Sequence, residues 1–170
     1  MQGVTFVVAA GNDAADFKGF VPAAYNEVLT VTAMADFNGM PGGGGSATCR
    51  SDVDDTPADF SNFTTVGSGE EAHTIAAPGV CINSTWKGGG YKTISGTSMA
   101  SPHVAGAVAL CLASEGDCNT GDSPDVIITR LRTAAAAQAP GYGFVGDPNS
   151  PMTVRGRTLY YGHLLYVGGY

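Results

Sequence analysis

The stretch TISGTSMASPHVAG, residues 93–106, carries the strongest signal for the fold of this chain. It places Ser98 between Gly96 and a run of small apolar residues that predicts a buried helix. Free N–H groups and the positive end of the helix dipole favour an oxyanion at such a helix start, so Ser98 is a candidate nucleophile. The alternative is that Thr97 or Ser98 only caps the helix. The G-x-S-x-G motif of α/β-hydrolases is excluded because Ala100 stands at its last glycine.

Two apolar runs upstream predict strands. VTFVVAA at residues 4–10 and VLTVTA at residues 28–33 are continuous and rich in β-branched residues, which is typical of strands buried on both faces of a parallel sheet. The first run ends at Gly11 and Asn12. Because loops at the carboxyl ends of parallel strands carry the sites of such sheets, the Asn12 amide could donate to an oxyanion. The alternative is that Asn12 is an ordinary turn residue.

The rest of the chain predicts a single α/β domain, or part of one. The other predicted elements are three short strands, a second helix and a final strand, at residues 73–76, 81–86, 91–95, 123–137 and 158–170. The segment at residues 36–59 is glycine-rich and acidic, which predicts an irregular surface loop. No internal repeat and no domain boundary is evident in the sequence.

Composition argues against two classes of partner. The net charge is −7 with only 8 Lys and Arg residues, which leaves no basic stripe for nucleic acid. No apolar run reaches the roughly 20 residues that a membrane-spanning helix needs. The start, MQGVTFVVAAGN, lacks the basic and cleavable features of a secretory signal. The protein is therefore either cytosolic or this sequence lacks its true beginning.

Four cysteines allow two disulfides in three possible connectivities. Cys111 near a helix end and Cys118 in the following loop could meet, which would leave Cys49 to pair with Cys81. Their spacing fits no zinc site. The alternative is four reduced thiols, and an oxidising compartment follows only if the disulfides form.

Together these segments resemble the subtilisin-like serine proteases, the subtilases. SGTSMASPHVAG at residues 95–106 is similar to the nucleophile segment of that family, and FVVAAGN at residues 6–12 to the segment with its oxyanion-hole asparagine. The likeness continues in the family's order through VPAAYNEVLTVTA, FSNFT, IAAPGVCINSTW and YGHLLY. STWKGGGYKTISGTSM resembles the proteinase K-like branch. The resemblance covers most of the chain.

The resemblance implies a partial subtilisin-like three-layer α/β fold, with a mainly parallel sheet flanked by helices. It implies a serine endopeptidase that forms an acyl-enzyme, with Ser98 as the nucleophile and Asn12 as the side-chain donor of the oxyanion hole. The backbone N–H of Ser98 would be the second donor, and the Thr97 hydroxyl would assist. One wall of the primary specificity pocket, with room for a large apolar side chain, would be formed by Ala9, Ala10 and Gly11.

The general base is missing from this pattern. Subtilases carry their catalytic Asp and His upstream of the asparagine segment, the His in a motif like H-G-T-H, and neither motif occurs here. His73, His103 and His163 match no catalytic position, and His103 lies five residues after Ser98, more than one helical turn away. We therefore expect residues 1–170 to be the C-terminal part of a subtilase catalytic domain whose N-terminal part, with Asp and His, is absent.

The expected partners are a peptide or protein substrate and the missing N-terminal part, in cis or in trans, with no nucleic acid and no membrane. The alternative is a catalytically inactive subtilase-like binding or scaffold module. The family and the cysteine count imply secretion. Two sequences fit the N-glycosylation sequon, at Asn62 and at Asn83.

The chemistry implied by the family needs no cofactor, and no metal ligand is assigned to the catalytic site. Relatives often bind structural calcium, and Val21–Tyr25 resembles a stretch whose carbonyls form a weak cation site. The acidic stretch at residues 51–55 could also attract calcium, although its spacing is not that of an EF-hand.

Overall fold

The computed structural model describes residues 3–113, 116–138 and 141–168. Its nine strands are β1 Phe6–Ala9, β2 Val28–Ala35, β3 Thr56–Pro57, β4 Thr64–Thr65, β5 Thr74–Pro78, β6 Ile82–Trp86, β7 Gly90–Ile94, β8 Met152–Val154 and β9 Arg157–Tyr160. Its two α-helices are α1 Thr97–Cys111 and α2 Pro124–Ala136, and 3-10 turns lie at Phe17–Gly19 and Glu70–His73. Neither α-helix is long and apolar enough to cross a membrane.

The largest sheet positions the candidate site. Its centre is β2, which pairs in parallel with β1 on one side and with β5 on the other. All eight residues of β2 are buried, as its β-branched run predicts. β1 differs from the prediction of burial on both faces, because it lies at the edge of this sheet. Val4 just before it and Phe6 within it are 70% and 61% exposed.

Alternate residues of β2 face two different packing layers. Leu29, Val31 and Ala33 belong to the main core, which contains the buried residues of α1 and α2. On the other face, the Thr32 hydroxyl donates to the Tyr161 carbonyl and Met34 packs in a smaller apolar cluster. The sheet is thus covered by helices on one side and by the C-terminal segment on the other.

Outside these parallel pairs, the strands are antiparallel. β6 and β7 form a hairpin, β9 pairs with both β4 and β8, and the short β3 pairs with the end of β2. The prediction of a mainly parallel sheet is therefore not confirmed for the described residues. Short turns join antiparallel strands, whereas parallel pairs need long crossovers. The final strand is also shorter than predicted, since β9 ends at Tyr160, and residues 169–170 lie outside the described ones.

Two disulfides are present, Cys49–Cys81 and Cys111–Cys118. This is the pairing that the sequence favoured among three. Cys49–Cys81 attaches the glycine-rich segment at residues 36–59 to the first residue before β6. Cys111–Cys118 joins the last residue of α1 to the loop that follows it.

Candidate active site

The turn before α1 presents Ser98 at the surface. The Gly96 N–H donates to the Gly79 carbonyl at 2.8 Å, which joins the turn to the end of β5. A side chain at Gly79 would lie 2.6 Å from the Ala33 Cβ and 2.9 Å from the Gly96 carbonyl, so only glycine permits this approach. α1 then begins at Thr97, and Ser98 in its first turn is exposed.

Hydrogen bonds join Asn12 to Thr97, which lies 85 residues away in sequence. The Asn12 Oδ1 accepts from the Thr97 backbone N–H at 2.9 Å and from the Thr97 hydroxyl at 3.0 Å. The Thr97 Oγ1 in turn accepts from the Gly11 N–H at 3.2 Å. Thr97 is fully buried, whereas Asn12 is exposed. Because Oδ1 is occupied, the other end of the amide, the Nδ2 donor, is oriented by these bonds next to the residue that precedes Ser98.

The loop that carries Asn12 is fixed by Asn62, whose role the sequence did not predict. Asn62 is fully buried. Its Oδ1 accepts from the Asp13 and Ala15 N–H groups at 2.9 and 3.1 Å, and its Nδ2 donates to the Ala10 carbonyl at 3.0 Å. Its backbone N–H donates to the Gly11 carbonyl at 2.9 Å. The sequence signal was the FSNFT segment, which shows a resemblance but not these contacts.

Ala9, Ala10 and Gly11 form a strip of small residues that leads from β1 to Asn12. Ala10 is 1% exposed, and Ala9 and Gly11 are half-buried. Gly11 has φ of +107°, and a Cβ there would collide with the Asn62 amide nitrogen. Position 11 therefore accepts only glycine, for conformational and for steric reasons.

None of the hydrogen bonds that the three histidines make in the described residues involves the Ser98 hydroxyl. His73 is buried, and its Nδ1 is 3.3 Å from the Thr30 hydroxyl; burial lowers its pKa. The Nδ1 of the exposed His103 bonds to the Met99 carbonyl within α1, at 2.9 Å. His163 is half-buried in the C-terminal segment, and burial lowers its pKa as well. Among the described residues, no hydrogen bond joins a histidine to Ser98.

A cleft of about 420 Å³ lies beside the nucleophile turn. Residues of the hairpin β6–β7 form one side, and Met99, Pro102 and His103 of α1 form the other. The cleft thus lies between the hairpin and the first turns of α1, the helix that carries Ser98.

A cluster of carboxylates could hold a metal ion away from this cleft. Ligand oxygens of Asp36, Asp54 and Asp55 lie within 4.8 Å of one another. Burial, followed by the charges of Asp54 and Asp36, raises the pKa of Asp55. Two residues of the predicted acidic stretch thus take part, whereas Asp52 bonds to Arg50 instead. In the other predicted cation stretch, Val21–Tyr25, the Ala23 carbonyl already accepts a hydrogen bond from the Thr30 hydroxyl.

Comparison with known proteins identifies the family of this chain. The sequence pattern of the Subtilase family matches residues 1–149. The chain is 37% identical over 139 residues to the subtilisin-like serine protease Pen ch 13 of Penicillium rubens, covering 82% of this chain and 29% of that protein. It is also 37% identical to alkaline serine exoprotease A of Vibrio alginolyticus, over 82% of this chain and 22% of that protein.

The fold is similar to that of a solved structure, a cold adapted subtilisin-like serine proteinase, with a TM-score of 0.64 and 33% identity. That similarity covers 97% of this chain and 45% of the other. The chain spans less than a third of the length of the two curated relatives.

Proposed function

Because this chain belongs to the subtilase family, we propose that it is the nucleophile-bearing part of a serine-type endopeptidase. In this proposal the Ser98 hydroxyl attacks the carbonyl carbon of a peptide bond and forms an acyl-enzyme, which water then hydrolyses. The observation that carries the proposal is the paired bonding of Asn12 Oδ1 to Thr97 at 2.9 and 3.0 Å. It orients a free amide donor beside the nucleophile before any substrate binds.

The tetrahedral intermediate places negative charge on the former carbonyl oxygen. We assign its stabilisation to the Asn12 Nδ2 and to the backbone N–H of Ser98, at the positive end of α1. Donors that are already oriented need no reorganisation as the charge develops. In subtilisin, removal of the asparagine donor costs roughly 2.7–4 kcal/mol. The Thr97 hydroxyl does not need to touch substrate for this purpose, since its bond to Oδ1 positions Asn12.

The strip Ala9, Ala10 and Gly11 supports a pocket that receives the side chain preceding the cleaved bond. Small residues along one wall leave room for a large apolar or aromatic group. Asn62 keeps this wall next to Asn12, because it bonds to both ends of the segment at residues 10–15.

The proton acceptor is assigned to a further part of the same domain, in cis or in trans, that supplies His and Asp. Support comes from the exposed side of β1 and from α1, where Ala105, Gly106, Ala109 and Leu110 are exposed although the helix is apolar. The length of the relatives leaves ample sequence for such a part. Without His and Asp, a subtilisin-type site retains only about 10³–10⁴-fold acceleration over water.

The alternative function is a subtilase-like module that binds peptides without cleaving them. The bonding of His73 and His103 to Thr30 and Met99 favours it, since neither assists Ser98. The gene sequence upstream of Met1 separates the two functions. A reading frame with an H-G-T-H-like motif supports the peptidase, and an intact frame without any such motif supports the module.

The proposed function is tested with a serine-directed phosphonate and a peptide substrate. We expect the complete protein to be labelled at Ser98 and to cleave the peptide, and the 170-residue chain alone to show neither activity. Ser98→Ala should abolish both, whereas the control Ser101→Ala should keep both, since Ser101 makes only a 3.4 Å bond to the Val7 carbonyl. Ordinary turnover by the isolated chain would contradict the assignment of the base to another part.

Extracellular location and calcium binding belong to the same proposal. The two disulfides support an oxidising, extracellular compartment. Calcium would bind as a structural ion at Asp36, Asp54 and Asp55, because it prefers several carboxylate oxygens. Millimolar calcium should then raise the melting temperature of the protein, and Asp54→Asn should remove that effect. An equal effect in both proteins would refute this site.

A further inference from the structure

The two glycosylation sequons of the chain lie in opposite environments. N-linked oligosaccharides are attached to Asn in Asn-X-Ser/Thr, and the chain contains Asn62-Phe63-Thr64 and Asn83-Ser84-Thr85. By sequence alone, both are equally valid N-glycosylation sequons. Burial and hydrogen bonding distinguish them.

The sequon at Asn62 cannot carry a sugar in the folded protein. Asn62 and Thr64 are both fully buried. The nitrogen that would be glycosylated donates to the Ala10 carbonyl at 3.0 Å, and the Thr64 hydroxyl lies 2.8 Å from that of Ser68. A glycan on this nitrogen would displace the loop that carries Asn12.

The sequon at Asn83 is accessible over its whole length. Asn83, Ser84 and Thr85 are all exposed, on strand β6 of the hairpin. β6 pairs with β7 alone among the described strands, with Asn83 opposite Thr93, so its outer edge is open to a transferase. No hydrogen bond among the described residues uses the Asn83 side chain. The two disulfides fit a chain that matures where N-glycosylation takes place in eukaryotic cells.

We propose that Asn83, and not Asn62, is an N-glycosylation site of this protein. The side-chain nitrogen of Asn83 attacks the anomeric carbon of a lipid-linked oligosaccharide. A carbon–nitrogen bond forms, the bond from that carbon to the lipid diphosphate breaks, and the amide nitrogen loses one proton. The inference rests on the proposed extracellular location and does not depend on catalysis by Ser98.

The position of Asn83 places the glycan beside the first turns of α1. Asn83 lines the cleft of about 420 Å³ that Met99 and His103 close on the other side. An oligosaccharide there stands at the edge of this cleft, on the hairpin that leads into the nucleophile turn. It is compatible with the fold because the hairpin side chains at residues 83–87 are exposed.

The test is expression of the full chain behind a cleavable secretion leader in a glycosylating eukaryotic host. The leader imposes the compartment, so that failure of the proposed peptidase activity cannot affect the result. We expect one glycan, removed by an amidase that converts the linked asparagine to aspartate. Mass spectrometry of the disulfide-bonded wild-type chain should locate that aspartate at position 83.

Variants provide matched controls. Asn83→Gln and Thr85→Ala should lose the glycan completely, Thr85→Ser should keep it, and Asn62→Gln should keep it as well. A wild-type chain that has lost its leader and formed its disulfides but carries no glycan would overturn the proposal. So would an aspartate found at position 62 in that chain. The mapping on the wild-type chain decides the question even if Asn62→Gln fails to fold.

Discussion

Replacement of Asn62 by alanine tests how much of the candidate site depends on one buried side chain. The change removes three hydrogen bonds, to the Ala10 carbonyl and to the N–H groups of Asp13 and Ala15. Ala10 is 1% exposed, so water cannot replace the lost hydrogen bond to its carbonyl, and this loss lowers the free energy of unfolding by about 2 kcal/mol. Asp13 is exposed and Ala15 is half-buried, so water can bond to their N–H groups, and each lost hydrogen bond lowers the free energy of unfolding by about 1 kcal/mol. We therefore expect the free energy of unfolding to fall by about 4 kcal/mol.

Equilibrium unfolding in urea, followed by circular dichroism, measures this loss. With a slope of about 2 kcal/mol per molar urea, the midpoint should fall by about 2 M while the slope stays unchanged. The control is Asn38→Ala, which removes one exposed bond to the Met40 N–H and should change stability by less than about 0.5 kcal/mol. Equal midpoints for the two variants would refute the reasoning.

The variant Asn62→Asp tests the two ends of the Asn62 amide separately, because it keeps the acceptor Oδ1 and removes the donor Nδ2. The new carboxylate keeps one oxygen for the Asp13 and Ala15 N–H groups but turns its other oxygen toward the Ala10 carbonyl. Burial and this repulsion should raise the folded pKa of the introduced group above its unfolded value of about 3.9. Its protonated form can donate to Ala10. The stability of this variant relative to the wild-type chain should therefore be highest below that unfolded value and should fall as the pH rises through the folded pKa, which urea unfolding at several pH values measures.

Three further predictions concern other parts of the molecule. For the proposed peptidase, Asn12→Ala should lower kcat of the complete protein about 10²–10³-fold with little change in KM, and an unchanged kcat would exclude Asn12 from the oxyanion hole. Burial lowers the pKa of His73, so stability present above the unfolded value of about 6.5 should be lost as the pH falls. His73→Leu should reduce the change of the urea midpoint with pH, and an unaltered change would contradict this. Part of the pH dependence should persist, because burial also lowers the pKa of His163. Cys49→Ser/Cys81→Ser should lower stability by about 3–4 kcal/mol, since the bridge closes a loop between residues 32 apart, and a smaller loss in urea unfolding would show that the unfolded chain is already compact there.

Elements with a strong local pattern are predictable from this sequence. The β-branched run of β2, the apolar helix α1 and the Ser-Pro start of α2 each correspond to an observed element. The predicted burial of α1 is correct for one face only, because Ala105, Gly106, Ala109 and Leu110 are exposed. The two-residue strands β3 and β4 are not predictable, because they exist only through pairing with β2 and β9, far away in sequence. Local propensity carries no information on such partners.

The candidate site shows the same division. Ser98 and Asn12 stand at element ends that the sequence indicates, and family resemblance supplies their proposed roles. Their mutual arrangement through Thr97 spans 85 residues, and the bonds of Asn62 to the Asn12 loop span 47 to 52. A single sequence contains no signal for such contacts. The apolar run of β1 indicated burial on both faces, and a run of this kind contains no information on whether another strand pairs with its outer edge.

The bridge between Cys49 and Cys81 has a consequence for proteolytic nicking of this chain. Arg50, Ser51 and Val53 are exposed, Val53 to 68%, whereas Asp54 and Asp55 are buried. An exposed site of this kind is where a protease would nick the chain first. Such a nick yields two polypeptides that migrate as one species until the disulfide is reduced. A cut at Val53 would break the backbone without separating Asn12 from Ser98.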